Sequence, residues 1–148
     1  MSVPKSPAKE RADGQLTGLA GELFVAAELL RMGIQTSVTF GNAKSIDLLA
    51  YNPRTGRSFS VQVKAVRKRN VFPVSHARII ATHIYVFVVL NKPGESPTYY
   101  VVPGTTLAAN PERFTHWFTD PKFPGISWKV FAEQGFENAW EIVEQGAL

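Results

Sequence analysis

The sequence predicts an α/β fold: one domain with a mixed central sheet flanked by helices. Three observations carry this. A helical apolar periodicity runs from Gly14 to Gly33, short β-rich segments follow between Ile34 and Val102, and a helical pattern returns at Asn138 to Gln145. A chain of 148 residues with 45% hydrophobic side chains is long and apolar enough for one real core.

Taken in order, the first twelve residues are polar, charged and Pro-containing, so 1–12 is expected to be a flexible arm and 13–148 the domain. In the first helix Leu16, Leu19, Leu23, Ala26, Ala27 and Leu30 recur at three- and four-residue steps, which predicts one buried stripe. Gly33 suits the C-cap, with Arg31 well placed against the helix dipole. Ile34 to Phe40 reads as a strand ending at Gly41-Asn42, and Ser45 to Tyr51 as a second. Asn52-Pro53-Arg54-Thr55-Gly56 is a turn, so Ser58 to Val66 returns antiparallel as a third strand.

Arg67 to Ile80 is expected to hold a loop and a short helix. Ile84 to Leu90 is an unbroken apolar run rich in β-branched residues, the pattern of a central strand buried on both faces. Tyr99 to Val102 is a further strand stopped by Pro103-Gly104, and Thr105 to Asn110 a short helix. Residues 111–131 are aromatic and irregular, and core packing is the expectation for those aromatics.

Composition removes several function classes. With no cysteine there is no disulfide, thiol nucleophile or thiolate metal site, and three histidines argue against a zinc site built on imidazoles. Gly-rich phosphate loops, GxGxxG and GxSxG are all missing. His76 and His83 read as structural or solvent-facing, and His116 as packed among aromatics. The N-terminus lacks the apolar run of a signal peptide, and Ile84–Leu90 is far short of the ~20 residues of a membrane helix. A cytoplasmic protein with no membrane partner is the expectation.

The net charge of +4 is unevenly placed: Leu48 to Gly94 holds eight basic residues and no acidic one. That stretch is either an ordinary solvated face or a surface for nucleic acid.

Against this background a few polar residues stand on otherwise apolar elements. Gln62 and Lys64, two apart in Val61-Gln62-Val63-Lys64-Ala65, project to the same face of their strand. Asp47, in the preceding strand, can lie beside them across the hairpin. The Asp47 carboxylate and the Gln62 amide oxygen are hard ligands of the kind Mg²⁺ prefers, and Lys64 can neutralise charge growing on a phosphoryl oxygen.

These residues resemble the PD-(D/E)XK nucleases of restriction-endonuclease-like fold. That family places Asp on one strand and (Glu/Asp)-x-Lys on the next; here Asp47 and Gln62-Val63-Lys64 are separated by fourteen residues. Members similar to Holliday-junction resolvases add a helical Glu, and Gly18-Leu19-Ala20-Gly21-Glu22 matches that element, its glycines allowing close approach to the sheet. The sequence departs from the pattern at Gln62, where an acid is usual and a few branches such as Mrr-like enzymes tolerate glutamine, and at Ile46, where proline is usual.

The resemblance implies a metal-dependent DNA nuclease. Glu22, Asp47 and Gln62, with the carbonyl of Val63, would hold Mg²⁺ or Mn²⁺, and Lys64 would serve the attacking water. Arg67, Lys68 and Arg69 would contact DNA phosphates beside the site, and a homodimer is implied by the resolvase-like members. Two other readings stand beside it: a catalytically inactive nucleic-acid-binding module of the same fold, and a protein-interaction or regulatory domain.

Overall fold

The computed structural model describes residues 7–39 and 47–145, with side chains described from residue 13. The expected strand end at Gly41-Asn42, the positions Ser45 and Ile46, and residues 1–6 lie outside the described residues. Helix α1 (Pro7–Arg31) is followed by β1 (Gln35–Val38), β2 (Leu48–Asn52), β3 (Arg57–Val66) and β4 (Val71–Pro73). A 3₁₀ turn at His76–Arg78 leads to β5 (Ile84–Val89), β6 (Thr98–Pro103) and α2 (Gly104–Ala109). Two 3₁₀ turns, Pro111–Phe114 and His116–Thr119, precede β7 (Gly125–Ser127), α3 (Trp128–Glu133) and α4 (Glu141–Glu144).

Five strands form a mixed sheet in the order β1-β2-β3-β5-β6. Strand β5 runs parallel to β3, with Gln62 opposite Tyr85 and Lys64 opposite Phe87; the other pairings are antiparallel. Strands β4 and β7 form a separate antiparallel ribbon. All six residues of β5 are buried, as its unbroken apolar run requires of a strand with a core on each face.

The two faces differ in chemistry. One is aliphatic: Val61, Val63, Val86 and Val88 of the sheet pack with Val25 and Leu29 of α1. The other is aromatic: Phe87 and Tyr100 pack with Phe72, Phe114 and Phe131, and the rings of Phe87 and Phe131 stack at 4.3 Å. Most of the C-terminal aromatics are therefore core, whereas Trp117 and Phe123 are exposed.

The sequence misplaces α1 in two respects. The helix begins at Pro7, inside the stretch expected to be a flexible arm. Its buried face is Thr17, Gly21, Val25, Ala26 and Leu29; of the expected stripe Ala26 is buried, while Leu16, Leu19, Leu23, Ala27 and Leu30 are exposed. The cause is close approach. A Cβ on Gly21 would stand 2.6 Å from the Cβ of Ala65, so Gly21, not the leucine row, lets the helix lie on β3. Gly18, the other expected approach point, has nothing within 4 Å of such a Cβ. The helix closes as expected: Gly33 adopts φ 81°, and the N–H groups of Gly33 and Ile34 return to the carbonyls of Leu30 and Leu29.

Candidate active site

Glu22 follows Gly21 on α1, so the close approach of that glycine to Ala65 brings a carboxyl to the sheet beside β3. The partner it finds is Asp47. This residue sits in the bend just before β2, one position ahead of the Leu48–Val61 pair. Its backbone is fixed from both neighbours: Asp47 N–H donates to Val61 O at 3.3 Å, and Thr39 N–H donates to Asp47 O at 3.0 Å. Its side chain is fixed too, since Val63 N–H donates to Asp47 Oδ2 at 2.8 Å. The carboxylate is thereby tied to the backbone between Gln62 and Lys64.

Burial, then the Asp47 charge, then a hydrogen bond with Asp47 push the Glu22 acid up to about 7. Neither acid forms an ion pair with a described Lys or Arg.

Gln62 and Lys64 line one cleft of about 740 Å³ with Tyr85, Arg78, Lys122, Phe123, Val71 and residues 73–75. The shared lining follows from their spacing on β3. Gln62 is 7% exposed, and its Nε2 donates to His83 Nδ1 at 3.1 Å. Burial lowers the His83 pKa, so the imidazole is neutral at pH 7 and has a lone pair for that bond. Tyr85 is held as a phenol: burial raises its pKa, the Asp47 charge adds to this, and the Ile80 N–H donated to its Oη at 2.9 Å opposes it.

The oxygen donors on these elements are of the kind a small hard cation takes. Among the described residues no three His, Cys, Asp or Glu side chains gather into a metal cluster. The oxygen donors are instead two carboxyls and the Gln62 amide. Two acids pressed together without a neutralising Lys or Arg, one of them kept protonated to about pH 7, are the electrostatics a divalent cation relieves.

Arg67, Lys68 and Arg69 occupy the bend after β3 and are not part of the cleft lining. The Arg69 guanidinium lies 4.5 Å over the Trp128 ring. The cations that do line the cleft beside Lys64 are Arg78 and Lys122, which sequence reasoning did not single out. His83 was missed as well. Its partner is 21 positions away, and only the parallel pairing of β3 with β5 brings them together.

No protein-family model and no curated protein matches the chain at the level of sequence. Solved structures do. A bacterial homing endonuclease superimposes with a TM-score of 0.60 over 90% of this chain and 92% of its own, at 19% identity. The Holliday junction resolvase of the archaeal hyperthermophile Archaeoglobus fulgidus does so with 0.55 over 86% and 95%, at 16% identity. The chain has the restriction-endonuclease-like fold. Within that fold, α1 carries Glu22, β3 carries Gln62 and Lys64, and Asp47 stands in the bend just before β2. No helix among the described residues is long and apolar enough to cross a membrane.

Proposed function

We propose that the protein is a divalent-metal-dependent nuclease that hydrolyses phosphodiester bonds of DNA. The observation that carries this reading is the Glu22–Asp47 carboxyl pair, tied through Val63 N–H to the strand whose Gln62 and Lys64 line the cleft. The fold shared with a homing endonuclease and a Holliday junction resolvase supports it.

Asp47, Glu22, the Oε1 of Gln62 and the carbonyl of Val63 would hold Mg²⁺ or Mn²⁺. Such an ion neutralises charge on the phosphoryl group and acidifies water. The protein's own groups do the rest. Val63 N–H fixes the rotamer of Asp47, and His83 fixes the amide of Gln62. Half-buried Lys64 orients the attacking water and stabilises charge developing on the phosphate. Water attacks phosphorus in line, the opposite P–O ester bond breaks, and the leaving oxygen takes up a proton, giving a phosphate end and a hydroxyl end. Arg78 and Lys122 give the cleft the positive lining that a phosphodiester backbone requires, and Arg67, Lys68 and Arg69 extend it past the end of β3.

The test is cleavage of duplex, branched and single-stranded DNA with Mg²⁺ or Mn²⁺, beside calorimetric titration of Mn²⁺. Metal-dependent cleavage that a chelator stops and Asp47→Asn abolishes is expected. Metal and DNA binding without cleavage would point to the inactive binding module. Absence of both would leave the fold alone standing.

A further inference from the structure

The glutamine at position 62 has a difficulty that an acid would not have. A carboxylate offers an oxygen from either end, whereas an amide offers one oxygen and one NH₂. With the wrong end toward the cleft, Gln62 would present two N–H donors to a cation. Something must choose the end.

We propose that His83 is a positioning residue that sets the Gln62 amide, holding its NH₂ so that the oxygen is presented to the metal site. This rests on the reading of Gln62 as a metal ligand. The geometry is direct: Gln62 Nε2 lies 3.1 Å from His83 Nδ1. An imidazole whose Nδ1 is an acceptor pairs with the NH₂ end of an amide and not with the oxygen end.

The backbone that carries the imidazole is anchored. His83 N–H donates to Ile80 O at 3.0 Å, and Gly104 N–H donates to His83 O at 2.8 Å. Ile80 N–H in turn donates to Tyr85 Oη at 2.9 Å, closing the turn onto the cleft wall. The turn before β5 is thus fixed at its backbone, so its side chain can act as a template for a neighbour on β3. Such outer partners orient metal ligands in general.

The test uses the full chain and four variants: His83→Phe, His83→Asn, Gln62→Glu, and Gln62→Glu combined with His83→Phe. Asparagine places an oxygen acceptor where Nδ1 stands; phenylalanine fills the space without one. The first readout is the side-chain NH₂ signal of Gln62 in a ¹⁵N-correlated NMR spectrum, identified by its loss in Gln62→Glu. It should move toward that of a free amide in His83→Phe and return in His83→Asn. The second is Mn²⁺ affinity by calorimetry. It should fall about 10-fold or more in His83→Phe, as is usual when a ligand's outer partner is lost. It should recover in His83→Asn, and should not fall when His83→Phe is added to Gln62→Glu, where either oxygen serves.

An unmoved Gln62 signal in His83→Phe would overturn the proposal. So would an equal loss of affinity when His83→Phe is introduced into wild type and into Gln62→Glu. If wild type binds no Mn²⁺, the ligand reading fails instead, while the amide signal still reports on whether His83 sets Gln62.

Discussion

Gly21 of α1 and Ala65 of β3 meet so closely that a Cβ on the glycine would lie 2.6 Å from the alanine Cβ. This places Glu22 against the strand that carries Gln62 and Lys64. Neither partner has a flexible side chain that could move aside, so Gly21→Ala must push the helix off the sheet. Overpacking of this kind costs about 1–3 kcal/mol. The better helix propensity of alanine returns up to about 1 kcal/mol of it. Denaturant midpoints should therefore fall in Gly21→Ala and largely recover in Gly21→Ala combined with Ala65→Gly. A midpoint equal to wild type in the single variant would show that the contact is loose.

Glu22 predicts the pH dependence of stability. Its folded-state pKa of about 7 stands above the ordinary carboxyl value of 4.5. The folded protein therefore holds a proton that the unfolded chain has lost between those two values, and stability must decline as pH rises through that window. Glu22→Gln removes the cause. In thermal unfolding from pH 4 to 8 without divalent metal, the variant should lose less Tm than wild type as pH rises from 4.5 to about 7. Saturating Mg²⁺ should remove the difference or reverse it, because the ion then binds the deprotonated acid. Parallel curves for the two proteins would mean that Glu22 does not carry this proton.

What the sequence revealed depended on range. The β2–β3 hairpin and β5 were legible because alternation, turn chemistry and an unbroken apolar run are local signals. Gln62 and Lys64 could be singled out for the same reason, being polar on an apolar strand, and so could Asp47, which stands in the bend where the apolar run of β2 begins. The buried face of α1 was misjudged because hydrophobicity favours the leucines, whereas packing on β3 is decided by how near the backbones can come, at Gly21. Ribbon β4–β7 joins three residues to three across more than fifty positions, and nothing local announces it. His83 carried no signal at all: it stands beside Gln62 only because β5 runs parallel to β3.

Lys64 separates binding from chemistry. It is half-buried in the cleft wall and, as a protonated amine, has no lone pair for a metal. Lys64→Ala should leave Mn²⁺ affinity largely intact while cleavage falls by two orders of magnitude or more, roughly the range seen when a charge-stabilising donor is removed. Lys64→Ala cleaving as fast as wild type, in single-turnover assays with saturating metal, would exclude it from the chemistry.

The route of DNA can be read from salt dependence. Arg78 and Lys122 line the cleft, whereas Arg67, Lys68 and Arg69 stand in the bend beyond it. Each phosphate contact contributes roughly 0.9 to the slope of log affinity against log salt on duplex DNA. If the backbone lies along the cleft, Arg78→Ala with Lys122→Ala should lower the slope by about 1.8. The weakening should be nearly equal for unrelated sequences, since phosphate contacts carry no base information. The triple variant of the bend should lower the slope by less than three such contacts, because the Arg69 guanidinium is held 4.5 Å over Trp128. Trp128→Ala should then free Arg69 and leave the slope unchanged or steeper. A larger loss in the bend variant than in the cleft variant would move the phosphate path to the end of β3. Unchanged slopes in both would remove DNA as the partner, whatever the fold.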